Sequence, residues 1–198
     1  FIRSMLYLDL SNCSSLAQVH PSLCTLHHLA ALNLSRCYSL HTLPVSLGML
    51  QNLQILLLSN CQKLRNLPVS LCDLSKLRLL DLSGCSRLET LPYSFVTLRQ
   101  MEILNLSYCK GLKELPQPFG ILQGLKYLNL SGCHGLDLDV ECKLANLMCA
   151  TLSPHSNIQG FSDSFRDLKN HLDMSRWWKK SRLHPQCNPC LLYTSDAA

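Results

Sequence analysis

Charge is what this 198-residue chain has least of. Lys, Arg, Asp and Glu together make up 16% of it, too little for a chain kept disordered by its own charge. No run of 18 apolar residues occurs. The densest stretch, Ile55-Leu56-Leu57-Leu58, is closed off by Gln54 and Ser59, which excludes a transmembrane helix. With 8 Gly and 9 Pro, collagen-like and low-complexity architectures are excluded too. The net charge of +5 is spread thinly, with 12 basic and 9 acidic residues over 1–152, and 6 and 4 over 153–198. No basic stripe results, so a nucleic-acid partner is not expected. The start, Phe1-Ile2-Arg3-Ser4, shows none of the basic region, apolar core and cleavage site of a signal peptide.

Catalytic patterns are also missing. There is no Gly-x-Ser-x-Gly and no His-Glu-x-x-His. The stretch from Gly120 to Lys126 superficially resembles a phosphate loop, but its Gly spacing is wrong and no Ser or Thr follows the Lys. Eight His are scattered without a nucleophile partner. His184 with Cys187-x-x-Cys190 imitates half a zinc site, but no second Cys pair completes it. The expectation is a chain without enzyme activity, cofactor or metal.

Leucine is abundant, at 46 residues, and it is periodic. Six units follow one another at a spacing of 24, aligned on Met5, Leu29, Leu53, Leu77, Met101 and Leu125. Each carries further Leu three and five positions on, as in Leu56 and Leu58. A Ser column follows (Ser11, Ser35, Ser59, Ser83, Ser107, Ser131), then a Cys column (Cys13, Cys37, Cys61, Cys85, Cys109, Cys133). Leu-Pro closes four of the units, at 43–44, 67–68, 91–92 and 115–116.

Each column has a physical reading. Leu-x-Leu alternation is a short strand with one buried face. Stacking equal units sets equivalent strands about 4.8 Å apart in a parallel sheet, and the Leu columns form a core that one unit could not bury alone. The Cys stands where the chain leaves the strand and turns inward, where its weak S–H can meet a neighbouring carbonyl. Pro makes the returning side irregular or 3-10-like, with a short helical turn carrying Leu47 and Leu50. The pattern matches the leucine-rich repeat consensus, with Cys in its Asn/Cys slot. The expected fold is an α/β repeat solenoid, a horseshoe with a parallel concave sheet and an irregular or 3-10 convex side.

We expect repeats over 1–153, the last being a degenerate seventh strand around 147–153, and a tail over 154–189 with a capping helix at 163–175. The sixth unit lacks its Pro, and the first has Val19-His20-Pro21 in place of Leu-Pro. No polar cap precedes the first unit, so further repeats or another domain are expected before Phe1. Arg176, Trp177, Trp178, Lys179, Lys180 and Arg182 have the composition of a membrane-surface or acidic-partner patch. Residues 190–198 resemble the translation of a sequencing adaptor and are set aside.

Two further features bear on location. The Cys column would mispair in an oxidising compartment, so a reducing one, cytoplasm or nucleus, is expected. Asn-x-Ser at Asn12, Asn33, Asn105 and Asn129 reads as strand consensus rather than as glycosylation acceptors.

The residues between the Leu columns point away from the core and supply the candidate binding face. One column is Tyr7, Ala31, Ile55, Leu79, Ile103 and Tyr127. The next is Asp9, Asn33, Leu57, Asp81, Asn105 and Asn129. Beyond the Ser column comes Asn12, Arg36, Asn60, Gly84, Tyr108 and Gly132. The first column is expected to form exposed apolar surface for a protein partner, with Tyr7, Tyr108, Tyr127 and Arg36 as contact types that carry binding energy. Ile55→Glu with Leu79→Glu should then abolish binding and spare the fold.

The unit from Leu53 to Leu74 reads Leu-x-x-Leu-x-Leu-Ser-x-Cys-x-x-Leu-x-x-Leu-Pro-x-Ser-Leu-x-x-Leu. It resembles the repeat region of plant intracellular nucleotide-binding, leucine-rich-repeat (NLR) disease-resistance proteins. Lys76–Leu98, with Leu-Ser-Gly-Cys and Leu-Pro-Tyr-Ser-Phe, is similar. Secreted plant receptors carry Gly-x-Ile-Pro and Asn at these places, and F-box-type repeats lack Leu-Pro-x-Ser. The resemblance implies a sensor that recognises a pathogen effector or guarded host protein and restrains the receptor's own nucleotide-binding domain. A Ras-associated type of cytosolic scaffold and a substrate-recruiting ubiquitin-ligase subunit are the competing readings.

Overall fold

In the computed structural model the described residues are 5–136, apart from 118, 120, 121 and 123, together with 150 and 151. The tail helix expected at 163–175, the Arg176–Arg182 patch, the His184–Cys190 motif and the adaptor-like end lie outside them.

Seven strands form one open parallel sheet in chain order: β1 Tyr7–Asp9, β2 Ala31–Asn33, β3 Ile55–Leu57, β4 Leu79–Asp81, β5 Ile103–Asn105, β6 Tyr127–Asn129 and β7 Ala150–Thr151. From β1 to β6 every residue pairs with the one 24 positions on, as in Leu32↔Leu56 and Leu56↔Leu80. β7 joins β6 at a spacing of 22, Leu128↔Ala150. The hydrogen-bond ladder outlasts the strands. Leu34 N–H donates to Leu57 O at 2.8 Å, and Asn60 N–H to Ser83 O at 2.6 Å.

The returning side is short 3-10 turns, at Pro21–Thr25, Leu47–Met49, Val69–Asp73 and Tyr93–Thr97. Pro at or just before the turn leaves no N–H to satisfy there and fixes φ. Each turn sends a large apolar side chain inward, Leu23, Leu47, Leu71 and Phe95, and the first and third bury Cys24 and Cys72 as well. Phe95 stacks on Phe119 of the next unit at 6.5 Å between ring centroids. Between sheet and turns runs one continuous core, in which the Leu columns of the inner units are fully buried. Met5, Leu8, Leu10 and Leu16 of the first unit are only half-buried.

The Cys column links consecutive units. Cys37 Sγ donates to Leu10 O, Cys61 to Leu34 O, Cys85 to Leu58 O and Cys109 to Leu82 O, each at 3.2 Å, and Cys133 to Leu106 O at 2.9 Å. The carbonyls of Leu34, Leu58, Leu82 and Leu106 also close the turn of their own unit, as Cys61 N–H to Leu58 O does at 3.2 Å. One acceptor with two lone pairs therefore serves two units. Burial pushes the thiols up, Cys37 to about 11 and Cys61 to about 12, and their neighbours in the stack add to the rise. They remain protonated donors.

Candidate functional site

The outer face of the sheet carries four columns, and they differ in what they can offer a partner. The first is Tyr7, Ala31, Ile55, Leu79, Ile103 and Tyr127. Expected as exposed apolar surface, it is instead buried from Ala31 to Tyr127, with Tyr7 half-buried. Adjacent parallel strands bring these side chains within packing distance of each other, and together with Leu57 they form a second apolar cluster. A charged row flanks part of it. Arg78 Nε donates to Glu102 Oε1 at 2.6 Å, and Lys126 Nζ to Glu102 Oε2 at 3.0 Å. Burial pushes Glu102 up, but the bonds from Lys126 and Arg78 outweigh it and hold the carboxyl below its ordinary value. The exposure expected at Ile55 and Leu79 is therefore absent, and Glu at either position would break packing rather than probe binding. The charged row went unread because its members, Arg78, Glu102 and Lys126, stand 24 residues apart; reading that column for alternating sign would have found it.

The second column serves its own chain. The side-chain oxygens of Asp9, Asn33, Asp81, Asn105 and Asn129 accept the backbone N–H of the Ser two residues on, at 2.9–3.1 Å. These are Asx turns, and they end the strand. Leu57 is the one member that cannot make the bond. Asp81 is held above the ordinary carboxylate value by burial, partly offset by its bonds from Ser83. The signal was present in the sequence as Asn/Asp-Leu-Ser, with an acceptor two residues before its donor. Asn33, Asn105 and Asn129 are buried and committed in this way, while Asn12 is exposed.

The third column, Ser, is half-buried at Ser11, Ser35, Ser59 and Ser83, and buried at Ser107 and Ser131.

The fourth column is the accessible one and forms a lip along the sheet. All six members have positive φ: Asn12 63°, Arg36 61°, Asn60 61°, Gly84 72°, Tyr108 59° and Gly132 74°. From Arg36 to Gly132 each is the third residue of a turn whose first carbonyl and fourth N–H bond, such as Leu34 O and Cys37 N at 3.3 Å. The Ser before it has no positive φ, so the turn is type II, the type that calls for Gly or Asn at this place. Asn12, Asn60, Gly84 and Gly132 answer that demand; Arg36 and Tyr108 do not. Asn12, Arg36 and Tyr108 are exposed. A recurring Gly or Asn in one column was a legible sign of positive φ.

Exposed apolar side chains stand on the other side of the molecule. Val45, Val69 and Tyr93, each following the Pro of its unit, are 84%, 70% and 78% accessible. An apolar cleft of about 560 Å³ near Val45 is lined by Leu10, Leu16, Val19, Leu43 and Pro44 among others. Among the described residues no cluster of His, Cys, Asp or Glu could hold a metal ion, and no helix is long and apolar enough to cross a membrane.

The family model described as "Leucine-rich repeat region" matches residues 3–185. The chain belongs to that family. As a leucine-rich repeat chain it is built as a protein-interaction module. Among solved structures it is similar to the leucine-rich repeat domain of the type III effector XopL, at 22% identity and a TM-score of 0.48, over 77% of this chain and 70% of that one. It is also similar to the leucine-rich repeat ectodomain of the receptor kinase SOBIR1 from Arabidopsis thaliana, at 25% identity and a TM-score of 0.44, over 60% and 64% of the two chains. No curated protein matches this leucine-rich repeat sequence.

Proposed function

We propose that this leucine-rich repeat region is the effector-sensing and autoinhibitory part of a plant intracellular immune receptor, acting in the cytoplasm or nucleus. The observation that supports the reading most is the form of the unit. Cys in the Asn/Cys slot is combined with Leu-Pro-x-Ser-Leu on the returning side, and both recur in phase. The four inner thiols of the Cys column are buried and each donates to a backbone carbonyl, a use of reduced cysteine that agrees with a reducing compartment. Under this reading the partner is a pathogen effector, a guarded host protein or the receptor's own nucleotide-binding domain.

The test is the sequence of the gene that encodes the chain. A Gly-x-x-x-x-Gly-Lys-Ser/Thr loop in the same reading frame is the expected result. An F-box in that frame, or an open reading frame of repeats alone, would overturn the receptor reading in favour of a ligase subunit or a scaffold.

A further inference from the structure

We propose that the lip holds an extended polypeptide segment through Arg36 and Tyr108, and that it selects a carboxylate side chain followed four residues later by an aromatic or proline ring. The inference rests on the protein-recognition reading and names the partner's chemistry.

Three observations carry it. First, the turn at this column calls for Gly or Asn, and four of the six units obey. Arg36 and Tyr108 hold a left-handed conformation that is costly for a side chain of their size. The backbone bonds of the turn hold Arg36 there, but its side chain is exposed and makes no ion pair among the described residues. Tyr108 keeps 53% of its surface accessible. Strain retained at an exposed position points to use.

Second, the column between them carries little side chain, a Gly and an Asn. Gly84 has no side chain, and a Cβ there would fall 2.5 Å from Asn60 Oδ1. The Asn60 amide thus leans over Gly84. Tyr108 leans the other way, since a Cβ on Gly132 would fall 2.6 Å from its Cδ1. The space over Gly84 is taken by the Asn60 primary amide, so between Asn60 and Tyr108 the lip offers that amide, with its donors and acceptor, to a passing backbone.

Third, the spacing fits. Arg36 and Tyr108 are three units apart, roughly 14 Å at the interstrand distance, and an extended chain covers that in about four residues at roughly 3.3 Å each. Arg prefers a planar carboxylate, and Tyr offers a ring face. Arg36 is the one charged member of the column, so a nucleic acid, which needs several cations in a row, is not the occupant.

The experiment is selection of a phage-displayed library of random twelve-residue peptides on the full chain, then on Arg36→Gly, Arg36→Glu and Tyr108→Gly. The expected result is enrichment of Asp or Glu four positions before Tyr, Phe, Trp or Pro. Affinity should fall at least tenfold on each Gly variant, and Arg36→Glu should select Lys or Arg in place of the acid. Both Gly variants should melt higher by about 2–4 °C, since they relieve the turn. Peptides that bind all variants equally would overturn the lip assignment and leave the protein-recognition reading standing. Failure to enrich any sequence would overturn both. A lower melting temperature for both Gly variants would remove the strain argument and with it the proposal.

Discussion

Cys85→Ala tests whether the thiol column is a packed element of the fold. Cys85 is fully buried, its Sγ lies 3.2 Å from Leu58 O, and Cys61 and Cys109 stack on either side. Removing the sulfur forfeits a group of about methylene size, worth about 0.8 kcal/mol. The void left, about 25 Å³, adds about 0.6 kcal/mol. The lost S–H bond adds about 0.5 kcal/mol. Leu58 O keeps the Cys61 N–H, so no buried carbonyl is orphaned and no larger penalty applies. The sum is about 2 kcal/mol, which lowers the melting temperature of a domain this size by about 4–8 °C. Thermal unfolding followed by circular dichroism reads it directly. Cys133→Ala, at a half-buried site, should lose less. A fall below about 1 °C for Cys85→Ala would refute the reasoning, because the inner column would then be exchangeable for any small residue.

Asp81→Asn should stabilise the chain at neutral pH. A carboxyl raised in the folded state binds protons more readily there than in the unfolded chain, so stability falls as pH rises through that window. The Asn variant should therefore gain over wild type at pH 7 and lose the advantage near pH 3, where both side chains are neutral; urea titrations at the two pH values check it, and an equal gain at both would contradict the sign. Gly48→Ala should cost about 1–3 kcal/mol, because its Cβ would sit 2.6 Å from Ser70 O and 3.0 Å from Asp73 Cβ; a denaturation midpoint at or above wild type would exclude that overlap. Cys37, Cys61, Cys85 and Cys109 should resist iodoacetamide at pH 8 until the chain is unfolded, since burial holds all four thiols up. Peptide mass mapping after labelling in and out of guanidinium decides this, and modification of any of the four in the native chain would count against it.

The register of the fold was legible because it is written six times. Leu32, Leu56, Leu80, Leu104 and Leu128 stand 24 apart and pair as that spacing requires. The Cys-to-carbonyl contact followed from the small residue at the exit of each strand, and the 3-10 return from Pro44, Pro68 and Pro92. The candidate site was less legible, because exposure on a sheet face is decided between units and not within one. Alternation says that Ile55 points away from the main core. It does not say that Ala31 and Leu79 close over its flanks. The sign of φ at Arg36 is likewise invisible in that unit alone and emerges when Gly84, Gly132, Asn12 and Asn60 are read down the column.

The same comparison between units locates the freedom to recognise. Each position of the repeat must satisfy its own backbone before it can serve a partner. The Leu and Cys columns are consumed by the core, and the Asx column is committed to closing each strand. The first outward column is sealed by its neighbours. What remains is the lip, where the fold asks for Gly or Asn and therefore for little side chain. Arg36 and Tyr108 are departures from the residue the turn prefers, and both are exposed. Leu57 is a departure of the opposite kind: it gives up the turn bond to join the apolar cluster, so its gain is internal. Departures that a repeat does not absorb by packing are where its units cease to be interchangeable, and in this chain they lie along one edge of the sheet.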